Sequence, residues 1–359
     1  MNTTQRVRRA GLATVAALVI GGSGVAIGAA ATDSSASGTP AAATATATPG
    51  PATPGPASYA SVVRQVLPSV VLIRTENGLG SGVVLDRSGN IVTNAHVAGG
   101  ATKFQVQVAG DTAPRSAKLV GTYPPDDLAV IRADDPSGLQ PATFGDSAKV
   151  QAGDVVLAIG NPLGLSGSVT QGIISATDRA VTEPATDGSP AATLPGAIQT
   201  SAPINPGNSG GALVSTSGQV VGIPTLAAGS PQGGGQAQGI GFAIPSNLAR
   251  DIANQIIDTG HVTNSHRAAI GAEVATVLGP DGAAGGVGLV AVTSGGGAER
   301  AGLRAGDVIT AVGGAQTTDT TALSQALAAA KPGDKVTVTV SRDGQDRSVQ
   351  VTLGELPGS

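Results

Sequence analysis

The chain has 359 residues, room for two or three domains at about 150 residues each. It holds 54 glycines and 23 prolines but only two tyrosines, three phenylalanines and no tryptophan, so Val, Ile, Leu and Ala must build any core through short strands and turns. A net charge of −4 leaves no basic field for nucleic acid, the lack of cysteine excludes disulfides and a thiol nucleophile, and three histidines argue against a multi-histidine metal site.

Residues 1–32 are expected to form an export signal or an N-terminal membrane anchor. Arg6, Arg8 and Arg9 precede an uncharged run from residue 10 to 32 that is long enough to span a bilayer, and small residues at 29–31 suit cleavage. Either outcome puts the rest of the chain outside the cytoplasm. Apart from Asp33, residues 33–57 are all Ala, Thr, Pro, Ser or Gly and read as a disordered tether.

Folded sequence is expected from residue 58. Ser58 caps a short helix whose Val62, Val63, Val66 and Leu67 share a face, and Pro68 ends it. Short apolar runs then follow at 69–75, 82–86, 90–94, 104–108, 128–132, 154–159, 169–176, 219–223 and 239–244. Turn pairs between them predict a mainly β region, and its length to residue 260 fits two packed barrels better than one. A helix closes this region, with Ser246 as cap, Leu248, Ile252, Ile256 and Ile257 as apolar face and Gly260 as stop.

Residues 261–266 read as a polar linker, and 267–356 as a smaller α+β unit. Helical turns are expected near 298–303 and 320–330, and Asp343-Gly344 joins two alternating runs as a closing hairpin. The glycine-rich stretch 279–288 is expected to be a mobile loop, since it lacks the lysine and strand-to-helix context of a phosphate cradle.

Chemistry gathers in three segments: Thr93-Asn94-Ala95-His96-Val97, Asp126-Asp127-Leu128, and Asn205-Pro206-Gly207-Asn208-Ser209-Gly210-Gly211. A serine hydroxyl is a weak nucleophile until an imidazole takes its proton, and that imidazole needs an acid to fix its tautomer. Glycines around Ser209 let backbone N–H groups converge on a developing oxyanion. The order His, Asp, Ser is that of chymotrypsin-like double barrels rather than subtilisins or α/β-hydrolases. Each segment alone is a weak signal; together they favour catalysis.

At these residues the chain resembles the HtrA (DegP-like) family of extracytoplasmic serine proteases. The resemblance is carried by Gly80-Ser81-Gly82-Val83-Val84, by the His96 and Asp127 segments, by Ala158-Ile159-Gly160-Asn161-Pro162-Leu163-Gly164 and by Gln171-Gly172-Ile173-Ile174-Ser175. It continues through Ile204 to Gly211 and through Gly239-Ile240-Gly241-Phe242-Ala243-Ile244-Pro245-Ser246. In the last unit, Ala301-Gly302-Leu303-Arg304-Ala305-Gly306-Asp307-Val308-Ile309 looks like one PDZ domain.

The resemblance implies a chymotrypsin-like double β-barrel followed by a small α+β PDZ domain. It implies His96 as general base, Asp127 as orienting acid and Ser209 as nucleophile, with an oxyanion hole at Gly207, Asn208 and Ser209 and no cofactor. Asp126 is then read as a solvated neighbour. Pro203, Ile204, Thr225 and Ile240 are assigned to substrate binding; the uncharged stretch before Ser209 and Ile240 suggest cleavage after small or medium aliphatic residues. Pro224 removes a backbone donor where substrate should pair. Residues 182–195 and 226–238 read as regulatory loops.

At the PDZ unit, the run from Arg267 to Ala272 is the implied carboxylate-binding turn, lined by Ile270 and Gly271, with Leu323 and Leu327 along the groove, for C-terminal peptides bound by strand addition. The implied function is ATP-independent cleavage of unfolded or damaged proteins by a homo-oligomer, commonly a trimer. Two other readings stand beside it: a latent protease acting mainly as holdase or scaffold, and a narrow signalling protease with one membrane substrate.

Overall fold

A computed structural model of the chain describes residues 58–76, 78–161, 167–183, 192–205, 207–229, 236–279 and 282–358. The expected export segment and tether lie outside the described residues, as do the central parts of the expected regulatory loops at 182–195 and 226–238. Among the described residues no helix is long and apolar enough to cross a membrane.

Helix α1 (Tyr59–Val66) begins where expected, with the Ser58 hydroxyl accepting from the N–H of Ser61 at 3.3 Å, and Val62 and Val66 buried beneath it. Strands β1 (Val70–Arg74), β2 (Leu79–Val84) and β3 (Asn90–Thr93) lead into the one-turn helix α2 (Ala95–Ala98). Strands β4 (Lys103–Val108), β5 (Arg115–Tyr123) and β6 (Leu128–Ala133) complete a closed six-stranded barrel in the order β1-β2-β3-β6-β5-β4. Val71, Ile73, Val84, Ile91, Phe104, Val106 and Ile131 pack together as one of its cores.

A second closed barrel, in the order β10-β11-β12-β9-β8-β7, is built from β7 (Val155–Gly160), β8 (Ser168–Glu183), β9 (Ala192–Thr200), β10 (Ala212–Ser215), β11 (Val220–Gly229) and β12 (Gln236–Pro245). Helix α3 (Ser246–Thr259) then crosses both barrels. Its Ile252 and Ile256 join Val92 and Val130 of the first barrel and Ile223 and Ile244 of the second in one apolar cluster. Gly260 ends it in the left-handed region at φ 80°. Ser246 differs from expectation: it is the first helical residue, Pro245 holds the cap position, and the Ser246 hydroxyl donates to the carbonyl of Gly145 at 2.8 Å.

The segment after α3 is less polar in its role than in its composition. Val262 is buried in the inter-barrel cluster, and Ser265 is fully buried with its hydroxyl donating to the carbonyl of Leu356 at 2.8 Å. Beyond it, β13 (Ala268–Ala269) precedes β14 (Ala272–Leu278), β15 (Ala284–Val292), the short helix α4 (Gly297–Arg300), β16 (Val308–Val312) and β17 (Ala315–Gln316). Then come helix α5 (Thr320–Leu327), capped by the Asp319 carboxylate, β18 (Lys335–Arg342), β19 (Gln345–Thr352) and β20 (Gly354–Glu355).

The main sheet runs β14-β15-β16-β18-β19, and β13 pairs with β20. The hairpin expected at Asp343-Gly344 is present, with φ of 55° and 74° at the two turn residues, as a two-residue primed turn demands. Half of the expected glycine loop at 279–288 is instead strand: residues 284–288 lie in β15 and pair with β14, while 280 and 281 lie outside the described residues.

Candidate active site

Asp127 follows a 3-10 turn over Pro124–Asp126 and stands immediately before β6, in the left-handed region at φ 52°. Aspartate tolerates that backbone better than a bulky residue does. The Asp127 carbonyl accepts from the N–H of Ala95 at 3.1 Å and from Asn94 Nδ2 at 3.0 Å, which joins the turn to the start of α2. Its carboxyl Oδ1 accepts from the His96 main-chain N–H at 2.9 Å, and Oδ2 lies 2.9 Å from His96 Nδ1.

The Asp127 side chain is 1% exposed and that of His96 30%, so the acid is shielded while the imidazole reaches solvent. A proton on Nδ1 is what a carboxylate neighbour selects, and that leaves the Nε2 lone pair as the base.

Thr225, on β11 of the second barrel, completes this arrangement. Its hydroxyl donates to Asp127 Oδ2 at 2.5 Å, and its carbonyl accepts from the Ser209 hydroxyl at 3.0 Å. Thr225, expected to contact substrate, is therefore bound by its side chain to the acid. Pro224, expected to cost a donor, supplies its carbonyl to the N–H of Gly210 at 2.9 Å.

The Ser209 turn is anchored from the opposite side by Ser81 of β2. The Ser81 hydroxyl donates to the carbonyl of Gly207 at 2.5 Å and accepts from the N–H of Asn161 at 2.8 Å; the Ser81 N–H donates to the carbonyl of Ser209 at 2.9 Å. Thr93 in turn donates to the Ser81 carbonyl at 2.7 Å. Gly207 has φ 103° and Gly210 φ 78°. A Cβ on Gly210 would meet the Ser81 carbonyl oxygen at 2.2 Å, so this position excludes a side chain on both counts. Among the described residues, the N–H groups of Gly207 and Ser209 donate to nothing, while that of Asn208 bonds the carbonyl of Asn205.

Asp126 corrects the expectation of a solvated acid. Its side chain is fully buried, and Oδ1 lies 3.1 Å from Nη1 of Arg267. Burial pushes its pKa up from 3.8 to about 6, against the opposing pull of Arg267. The sequence carried no mark of this, because the arginine that covers Asp126 is far along the chain.

Of the other substrate-binding candidates, Pro203 is exposed, Ile240 is 37% exposed and Ile204 is buried in a cluster with Ala202, Leu213 and Ala243. Gly241 lies against Ile204, where a Cβ would come within 2.4 Å of Ile204 Cγ1. Ile270, Ala272, Leu323 and Leu327 line one groove of about 150 Å³ together with Arg267 and Pro195. Gly271 has φ 79°, and among the described residues neither its N–H nor that of Ile270 donates to another group.

Residues 80–223 match the trypsin-like peptidase domain model, and residues 262–353 match the PDZ domain model. The periplasmic pH-dependent serine endoprotease DegQ of Escherichia coli is 36% identical over 330 residues, 82% of this chain and 70% of that protein. The chain belongs to the HtrA (DegP-like) family of serine proteases. A probable periplasmic serine protease do/HhoA-like of Haemophilus influenzae is 40% identical over 284 residues, 78% of this chain but only 59% of that relative. Among solved structures, that of the HtrA-type protease AlgW with a decapeptide is 34% identical, covering 84% of this HtrA-family chain and 99% of the other, with a TM-score of 0.54.

Ser81, Thr93, Asn161 and the hydroxyl of Thr225 had no role assigned from sequence, although the first three fall inside segments that carry the family resemblance. A hydroxyl or amide within or just after an apolar run was the available signal, and it does not say which distant group it meets.

Proposed function

We propose that this HtrA-family chain is an extracytoplasmic serine endopeptidase in which His96, Asp127 and Ser209 act together. The observation that carries the reading is the convergence of a shielded Asp127–His96 pair and a Ser209 turn with two undonated N–H groups on the same Thr225 segment. In this mechanism His96 Nε2 takes the Ser209 proton as Oγ attacks the scissile carbonyl. Asp127 stabilises the imidazolium, and the N–H groups of Gly207 and Ser209 receive the oxyanion. His96 then returns the proton to the leaving amine, and water releases the acyl group by the same steps reversed.

Because the Ser209 hydroxyl donates to the Thr225 carbonyl, attack requires Oγ to turn toward His96. That bond favours a resting state of low activity, and with it the second reading of a latent protease with holdase function. The periplasmic relatives and the basic-then-apolar N-terminus support action outside the cytoplasm. We assign residues 58–260 to proteolysis and 267–356 to capture of peptide C-termini at Ile270, Gly271 and Ala272. The further expectations are ATP independence, unfolded substrates, aliphatic cleavage sites lined by Pro203, Ile204 and Ile240, and trimeric assembly.

The test compares the wild-type chain with Ser209→Ala on an unfolded, cysteine-free protein, reading the new ends by mass spectrometry. Cleavage after aliphatic residues by the wild type alone is the expected result. Equal cleavage by both chains would remove Ser209 from the mechanism, and suppression of aggregation by both without cleavage would favour the holdase.

A further inference from the structure

We propose that Arg267 is a positioning residue of the protease site, delivered by the segment that opens the peptide groove. The inference rests on Asp127 being the triad acid. Arg267 Nη1 donates to the carbonyl of Pro125 at 2.5 Å and to Asp126 Oδ1 at 3.1 Å, so one cation holds two consecutive residues of the turn that presents Asp127. Asp127 hangs from this turn through its own N–H, which donates to the carbonyl of Pro124 at 3.0 Å. A shift of the turn therefore moves the carboxylate that orients His96. The other oxygen of Asp126, Oδ2, is buried with no hydrogen-bond partner among the described residues, which leaves Arg267 as the grip on this side chain.

The grip is built rather than incidental. The Arg267 side chain is 12% exposed and that of Asp126 is buried outright, so water screens the pair poorly. The Arg267 main chain is fixed on both sides: its carbonyl accepts from the N–H of Leu356 at 2.7 Å, and its N–H donates to the Ser265 hydroxyl at 3.3 Å. Arg267 also lines the 150 Å³ groove and stands three residues before Ile270, whose N–H is undonated among the described residues, as is that of Gly271.

Simple domain docking would use the same contacts, so the test needs readouts that docking alone does not move. Full-length wild type, Arg267→Gln, Arg267→Lys and Asp126→Asn are assayed on a short aliphatic peptide anilide with a blocked C-terminus. The His96 Nδ1 proton is followed by its downfield proton NMR signal. In Arg267→Gln, kcat is expected to fall about ten- to a hundredfold with KM within about twofold, and the NMR signal to shift or broaden. Arg267→Lys, which keeps the charge, should recover most of kcat.

An unchanged kcat and NMR signal in Arg267→Gln, with only a lower melting temperature, would overturn the proposal and leave docking. If Arg267→Gln does not fold, Asp126→Asn reads the same coupling, and its indifference in both kcat and NMR signal would be equally fatal. If the wild type shows no Ser209-dependent turnover, the protease reading has failed instead, and the His96 signal still decides whether Arg267 orders the turn.

Discussion

Thr225→Val is the most direct probe of the acid's surroundings. Valine keeps the shape of threonine and removes only the hydroxyl that donates to Asp127 Oδ2 at 2.5 Å. Asp127 is 1% exposed, and its carboxyl has two other donors, the His96 main-chain N–H and the His96 ring, each at 2.9 Å. A hydrogen bond to a charged group contributes about 1.5–3 kcal/mol, and solvent cannot replace the donor at a site this buried. The same oxygen faces His96, so the carboxylate is freed to rotate away from the imidazole as well as being less well solvated. At about 1.4 kcal/mol per tenfold, kcat should fall by about ten- to a hundredfold, with KM nearly unchanged.

The assay is steady-state kinetics on a peptide anilide, paired with thermal unfolding of the same preparation. Thr225→Ser, which keeps the donor, serves as control and should stay near wild type. A Thr225→Val enzyme within twofold of wild type in kcat, with an intact fold, would refute the view that Thr225 supports the acid.

Two further substitutions test other parts of the network. Ser81→Ala removes the donor to the Gly207 carbonyl and the acceptor for the Asn161 N–H; burying both unpaired should cost about 1–3 kcal/mol and lower kcat by loosening the oxyanion turn, read as a joint fall in melting temperature and kcat. Asp126→Asn tests the pH dependence of stability. Because burial raises the folded-state pKa from 3.8 to about 6, the Asp126 contribution is fully present below about pH 4 and is lost as pH rises through about 6, a swing of about 3 kcal/mol. The charged or titratable groups facing it are Arg267, His266 and Tyr123, whose own hydroxyl burial pushes up to about 12. Asparagine removes this dependence, so its melting temperature relative to wild type should be higher at pH 7.5 than at pH 4.5; a difference that does not change with pH would contradict the burial argument.

Much of the candidate site was legible because it depends on short segments. The chemistry of His96, Asp127 and Ser209 is announced by residue type, chain order and the glycines at 207, 210 and 211, whose backbone demands are local. Asp343-Gly344 is similar: two residues that accept positive φ between alternating runs determine a hairpin with little help from the rest of the chain. The cap at Ser58 and the stop at Gly260 belong to the same class.

Tertiary structure decided what depends on distant neighbours. β5 was not among the expected strands, because Lys118 and Gly121 break up its apolar residues, yet it pairs along β6 and helps complete the first barrel. The glycine-rich residues 284–288 become strand because β14 supplies their hydrogen-bond partners. Asp126 and Asp127 are the same residue type side by side, and only packing separates their fates: one faces His96 and Thr225, the other is sealed beneath Arg267, 141 positions later. Residue identity determined which chemistry was available to this chain, whereas desolvation and pairing across the fold determined which of two adjacent carboxylates stands beside His96 and which stands against Arg267.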